Sequence, residues 1–285
     1  MFKITKILGV ICVFTMFSTA FAQDNNNNSQ NTTLKKYVVI RNSPSFTLLV
    51  NLNYSQSALE LAGTFNGDFR SEQFMNGETF GAGKGVGGNI TGKYSLGDKG
   101  NWRALFSLSF NHIQTYLFGS KPTLADQGES SFNAFSFGLG LEDNFTPNHN
   151  FKIYAAFELI ASMINGKATM WVHIPPESYN YTYDVKFKNS FRVGYTFGGG
   201  TEYMLNENIG LNISAWFSHL NLIGKKSVDI TKTPLENETL EISLPDGSSK
   251  TSALFAGDKN FAFFTIQAGV CFYWGINEKR YKIGL

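Results

Sequence analysis

Three sets of residues have side chains that could do chemistry. Gly81 to Gly88 reads GAGKGVGG, and a lysine among glycines has the composition of a loop that cradles phosphate. Such a loop needs Ser or Thr directly after the lysine and a helix behind it, whereas Lys84 is followed by Gly85 and then by a strand-like run. The segment therefore reads as a flexible lead into a strand, and no nucleotide or other cofactor is expected. The second set is His112, His149, His173 and His219, with Ser218 beside His219. A His within reach of a Ser and a carboxylate is the apparatus of acyl transfer, but geometry defines that apparatus, not adjacency in sequence. The third set is Lys93, Arg103, Glu142, Lys152, Glu158, Arg192 and Glu202. Each stands at the polar phase of an alternating apolar stretch, where its natural chemistry is ion pairing in a secluded space.

Strands set those phases. From Phe191 the residues Phe191, Val193, Tyr195 and Phe197 alternate with Arg192, Gly194, Thr196 and Gly198. Asn206-Glu207-Asn208 makes a tight polar turn, after which Ile209, Leu211, Ile213, Ala215 and Phe217 alternate with Gly210, Asn212, Ser214 and Trp216. A period of two is that of a strand with one apolar face. The other face carries mainly Gly, Ser, Thr and Asn in place of the Lys and Glu of a solvated surface, which suits a narrow interior. The apolar face has no charge through its middle and ends in Tyr or Phe, as a lipid-facing band between aromatic girdles does. Alternation alone leaves a soluble secreted β-barrel open; the character of the two faces favours a membrane barrel.

The same plan recurs as eight strands, at about Phe46–Tyr54, Val86–Leu96, Arg103–Asn111, Phe135–Phe145, Phe151–Leu159, Phe191–Tyr203, Ile209–Phe217 and Phe264–Trp274. The connections alternate long and short, beginning with a long one; GDKGN at Gly97–Asn101 and TPNHN at Thr146–Asn150 are short turns. Short periplasmic turns and long extracellular loops give this rhythm. The expected fold is all-β, an eight-stranded antiparallel up-and-down transmembrane β-barrel.

Lys3 and Lys6, the apolar run Ile7–Phe17 and Ala20-Phe21-Ala22 form the three regions of a cleavable secretory signal. The domain reading is a signal peptide at 1–22, a polar periplasmic leader at 23–44, the barrel at 45–275 and a periplasmic tail at 276–285. Leu34–Ile40 has strand character, but Pro44 follows closely, so it is read as a lead-in, outside the barrel. Cys12 lies within the signal, leaving Cys271 without a disulfide partner. The chain has 24 basic and 22 acidic residues, and two of the basic ones leave with the signal. That balance excludes nucleic acid as an expected partner.

The alternating strands, Gly200-Thr201-Glu202-Tyr203 and the Asn-rich turn into NIGLNIS resemble the small outer-membrane barrel domains of the OmpA and OmpX type in Gram-negative bacteria. The resemblance spans about Phe46 to Trp274 and rests on pattern. Such barrels commonly finish on an aromatic residue, whereas INEKRYKIGL follows Gly275 here. The resemblance implies outer-membrane location, a monomer and lipid as the surrounding partner. Some barrels of this size modify lipid A with His, Ser and a carboxylate; here His112 and His219 continue the lipid-facing parity, where interfacial anchoring is sufficient. No catalytic residue and no metal site are expected.

The seven inward charges form the expected polar network of the lumen. Lys93, Arg103, Glu142, Lys152 and Glu202 should crowd toward the periplasmic mouth and pair. A structural core and a gate across a thin channel are both open to them; an eight-stranded interior holds little more than its own side chains, which favours the first. Specificity is expected in the outer loops. Tyr181, Tyr183, Val185 and Phe187 continue the outward parity of the sixth strand above the membrane, with Trp171 on the opposing side of the loop. Trp171, Tyr181, Tyr183 and Phe187 are the candidate contacts to an extracellular protein or glycan surface. The last loop, Asn221 to Asn260, is expected to contain a second hairpin around Pro245-Asp246-Gly247. The expected role is structural or adhesion-type, without catalysis; the alternatives are a narrow passive pore for small or hydrophobic solutes and a lipid-modifying enzyme.

Overall fold

The computed structural model describes residues 37–41, 43–62, 79–97, 99–115, 128–174, 179–227, 239–248, 258–276 and 278–282; side chains are not described at 37–41, 128, 170–174, 179–183 and 278–282. The expected signal and most of the expected leader lie outside these residues.

Eight strands close into one barrel. They are β2 (Phe46–Ala58), β3 (Lys84–Leu96), β4 (Trp102–Gln114), β5 (Gly128–Asn144), β6 (Phe151–Ile174), β7 (Tyr179–Met204), β8 (Ile209–Ile223) and β10 (Ala262–Trp274). Each pairs antiparallel with its chain neighbour, β10 pairs with β2, and the order is up-and-down throughout. All eight expected strands are present, each longer at its outer end than the alternation showed. A separate two-stranded ladder joins β1 (Tyr37–Arg41) to β11 (Glu278–Lys282). The tail that follows Gly275 is thus a strand, and it pairs with the lead-in.

Alternation fixes the faces. In β2, Thr47, Asn51, Asn53 and Ser55 are buried, while Phe46, Val50, Leu52 and Tyr54 are exposed. The outside is an unbroken apolar surface that includes Ile90, Leu108, Phe137, Leu159, Ile213 and Ile266. Phe46, Tyr94, Trp102, Phe151, Tyr203 and Trp274 ring the end that carries the short turns, and Phe46 and Trp274 touch at 5.6 Å between ring centroids. From Phe264 to Trp274 the exposed row runs roughly 33 Å along the strand, which at a tilt of about 40° is roughly 25 Å along the barrel axis. That matches the hydrocarbon band, so the barrel is transmembrane. Among the described residues no helix is long and apolar enough to cross a membrane.

The short turns are built locally. In the β7–β8 turn Asn206 Oδ1 accepts hydrogen bonds from the backbone N–H groups of Asn208 and Ile209 at 2.8 and 2.9 Å. On the other side the barrel wall continues upward. β6 and β7 stay paired from Phe151↔Tyr203 to Ile174↔Tyr179, and β5 follows β6 as far as Met170. The short strand β9 (Thr239–Ile242) lies parallel to β7 from Asp184 to Phe187. A second hairpin in the last loop was expected; among the described residues its only strand is β9, and Pro245-Asp246-Gly247 turns into the barrel mouth.

One irregularity redirects a whole segment. Ile164 pairs with Ser190 but Gly166 pairs with Phe187, so Asn165 faces both Lys188 and Asn189. This β-bulge puts one extra residue on β7 and exchanges its two faces. Below it Arg192 points inward; above it Val185 and Phe187 do, at 1% and 2% exposure. The outward parity expected for Val185 and Phe187 is therefore corrected.

A lipid-facing exterior makes a depth-dependent prediction. Ile213→Arg, in the middle of the band, should cost about 2 to 4 kcal/mol in urea titrations of barrels in lipid vesicles, and Ile209→Arg, beside the turn, about 0 to 1 kcal/mol. Equal small costs at the two depths would mean that the exterior faces water.

Candidate functional site

The lumen is filled in three tiers. At the short-turn end, β3, β4, β5 and β7 bring Lys93, Arg103, Glu142 and Glu202 together. Lys93 Nζ lies 2.6 Å from both Glu142 Oε2 and Glu202 Oε1. Arg103 pairs with Glu142 Oε1 and lies 3.2 Å from Glu202 Oε1. All four are buried, and the two cations balance the two carboxylates. Tyr154 places its ring 3.7 Å below Lys93 Nζ, and Tyr273 donates to Glu202 at 3.5 Å. This knot closes the expected periplasmic mouth.

The remaining inward charges are deployed differently. Lys152 pairs in register with Glu202 across β6 and β7, but its ammonium donates to the carbonyls of Pro147 and His149 in the turn. Glu158 stands alone in the middle tier and accepts from Ser107 at 2.8 Å. Arg192 is at the opposite end. The crowding expected of the first group thus holds for four residues, while Lys152 fastens a turn.

The middle tier is polar and neutral except for Glu158. Tyr154 donates to Asn212, Asn212 to Asn51, and Asn51 to Asn89, at 2.8, 3.1 and 2.8 Å. This chain crosses the lumen from β6 to β3 and leaves a central cavity of about 40 Å³.

The upper tier is an apolar plug, which the alternation did not show. Leu61, Phe80, Phe132, Ile164, Phe187 and Phe261 are among its buried members. Phe132 stacks on Phe187 at 5.4 Å and meets Phe80 and Phe261 edge-on at 5.5 Å each. The last loop is pinned into this tier by Asp246. Arg192 donates from Nε and Nη2 to the two carboxylate oxygens of Asp246 at 2.6 and 2.7 Å. Asn221 and the N–H of Lys226 donate to the same carboxylate, each at 2.9 Å. Asp246 is wholly buried, and Lys259 lies above the Phe80 ring at 4.9 Å. Burial pushes the Lys259 ammonium down to about 7 against the pull of Asp246. Sequence placed Asp246 in a surface turn, because Pro-Asp-Gly is turn chemistry and nothing in it signals an inward fold.

The histidines are separated. His112, on β4, contacts Asn133 Oδ1 at 2.7 Å and Gln114 Oε1 at 3.3 Å. His219, on β8, is 8% exposed, covered by the Tyr195 ring and bonded to Asn260 at 3.1 Å. Its outward parity thus does not make it a lipid-exposed anchor. Ser218 bonds to Thr196 instead. His149 is exposed in the Thr146–Asn150 turn. Among the described residues no cluster of three or more His, Cys, Asp or Glu could hold a metal ion.

At the level of the plug, β5, β6, β7 and β9 form a sheet whose inward side packs on it through Phe132, Ala168, Val185 and Ile242, and whose outward face lines an open groove of about 1130 Å³. Ser131, Asn133, Asn165, Lys167, Lys186 and Glu241 line it, and Lys186 pairs with Glu241 at 2.7 Å. Phe187, expected here, is in the plug. Trp171, Tyr181 and Tyr183 lie on the paired backbone of the hairpin, with side chains outside the described residues.

No protein-family model matches the chain, and no curated protein is similar to it in sequence. Among solved structures it is similar to Neisserial surface protein A, with 12% identity over 81% of this chain and 99% of that one and a TM-score of 0.42. It is also similar to Ail, the attachment invasion locus protein of Yersinia pestis, with 12% identity over 79% and 98% and a TM-score of 0.37. A third is the outer membrane protein OprG of Pseudomonas aeruginosa, with 11% identity over 85% and 98% and a TM-score of 0.39. Likenesses this distant carry no role or site across; the fold stands on its own strand pairing.

The contrast between buried and exposed ion pairs is measurable. Glu202→Gln leaves Lys93 and Arg103 sharing one carboxylate in a closed space and should cost about 3 to 5 kcal/mol. Lys186→Ala breaks an exposed, solvent-screened pair and should leave the unfolding midpoint nearly unchanged. Urea unfolding of the two variants in the same vesicles checks the difference.

Proposed function

We propose that the protein is a closed, non-conducting outer-membrane barrel that carries a rigid sheet above the lipid for contact with external surfaces. The observation that carries this reading is the three-tier lumen. A conduit needs a continuous polar path, and here an ion-paired knot occupies one end and packed phenylalanines the other. A side chain cannot leave either tier cheaply, because each unpaired buried charge or emptied apolar site is costly. The apolar exterior and aromatic ring support residence in a membrane, and the secretory pattern of the first 22 residues supports export to the outer one.

The surface role rests on the hairpin of β6 and β7. Its bulge, its plug contacts and the added strand β9 hold it upright, so it can meet a partner without first being ordered. β9 ends the sheet at the top, and an edge of this kind offers backbone hydrogen bonds to an incoming strand. An absence of catalysis is supported by His112 and His219, whose ring nitrogens face amide oxygens in place of a hydroxyl or carboxylate and which stand on well-separated strands.

The test is to replace Met170–Tyr183 with a two-residue turn between the paired residues Thr169 and Asp184. The shortened protein should still migrate as a heat-modifiable barrel on gels, and neither form should pass steady current in planar bilayers. Cells displaying the shortened form should attach less to protein- or glycan-coated surfaces. Unchanged attachment removes the surface role, and steady current through the intact protein removes the closed barrel.

A further inference from the structure

The central cavity contains a buried carboxylate that no cation touches among the described residues. Glu158 is 5% exposed, makes no ion pair among the described residues, and has one hydrogen bond, from Ser107 Oγ to its Oε2 at 2.8 Å. The knot below it is already balanced by its own two cations and two carboxylates, and Lys152 is spent on turn carbonyls. A carboxylate in such a place needs a counter-charge or a proton.

The cavity beside it has the chemistry to receive one. It is about 40 Å³ and most of its wall presents oxygen, from Asn53, Thr91, Ser107, Glu158, Thr265 and Gln267 among others, with Ile160, Trp216, Leu220 and Phe263 completing it. Asn53, itself 6% exposed, has a buried Oδ1 with no hydrogen-bond partner. Gly138 leaves the space open: a Cβ there would come within 2.3 Å of Ser107 Oγ and 2.7 Å of Glu158 Oε2. An oxygen-lined cavity with one carboxylate and an orphaned amide oxygen is short of positive charge, not of acceptors.

We propose that this cavity is a binding site for a single dehydrated monovalent cation of the alkali class, held by Glu158 with Asn53 and Ser107 as neutral oxygen ligands. One positive charge neutralises the one carboxylate. A divalent ion would leave an excess charge in the barrel, and its sites draw on more carboxylates than the one present. The site is internal and structural: the plug and the knot shut it from either mouth, so the ion enters when the barrel folds or breathes.

Sodium chloride is the probe, with choline chloride at equal ionic strength as the control for screening. The full chain, refolded in neutral lipid vesicles, is unfolded by urea in each salt. A site present only in the folded barrel shifts the unfolding equilibrium about a hundredfold at a cation concentration one hundred times the dissociation constant. The expected result is a sodium-dependent rise in the wild-type midpoint that is lost in Glu158→Gln and weakened in Ser107→Ala. Gly138→Ala, whose methyl group would crowd Ser107 Oγ and Glu158 Oε2 while keeping the carboxylate in the chain, should also lose it. The same sodium dependence in Glu158→Gln, or none in the wild type, overturns the proposal. A carboxylic-acid carbonyl band in the infrared spectrum of the wild type in sodium, absent from Glu158→Gln, also overturns it, because a proton then occupies the place of the ion.

Discussion

A side chain that enters the interior of an eight-stranded barrel has lost its water, and almost everything else in this molecule follows from that. The circumference is too small to admit a solvent column, so an inward polar group must find its partner within the protein, and one that does not, such as Asn53 Oδ1, stands out. The chain meets the constraint with different chemistry at different heights. Where four strands bring Lys93, Arg103, Glu142 and Glu202 to one level, charge answers charge. Amides hand hydrogen bonds across the middle, and at the top the lumen contains phenylalanine in place of polar groups. Closure of the barrel is thus a property of its filling as much as of its strand pairing.

The sheet was legible because membrane strands keep a period of two over long runs, broken here only locally in β7 among the described residues. Each inward charge from Lys93 to Glu202 could be assigned its face from parity alone, and the structure places all seven inside. Which of them would meet was partly legible as well, since Arg103 and Glu142 face each other in register at the same end as the short turns. Parity says nothing of reach, however. Lys152 has the right face and height for the knot, but its long side chain finds two carbonyls nearer at hand in the turn below it.

The rest was hidden for two physical reasons. The first is that a bulge leaves almost no mark in composition: KNS at Lys188–Ser190 is as plausible a continuation as any, but one extra residue there reversed Val185 and Phe187. The second is that long-range burial can override turn chemistry. Asp246 sits in a tripeptide that belongs on a surface, and it is buried because Arg192 and Asn221, distant in sequence, converge on it. Neither partner announces this: Arg192 reads as one more inward charge, and Asn221 as the end of a strand.

The bulge at Asn165 also governs which changes in chain length the upper hairpin can absorb. Above it, the inward residues Val185 and Phe187 alternate with the outward Lys186 and Lys188 over the full height of the plug. Removing one residue at Lys188 or Asn189 would heal the bulge and leave Phe187 inward and Lys186 outward, whereas removing one residue above it, at Lys186, would turn Val185 to the outward face. Removing or adding two would return each side chain to its own face, displaced by one pleat. Above the bulge the reading frame is therefore counted in pairs of residues, and lengthening or shortening the hairpin there in pairs is the route by which its reach above the membrane can change while its base stays packed.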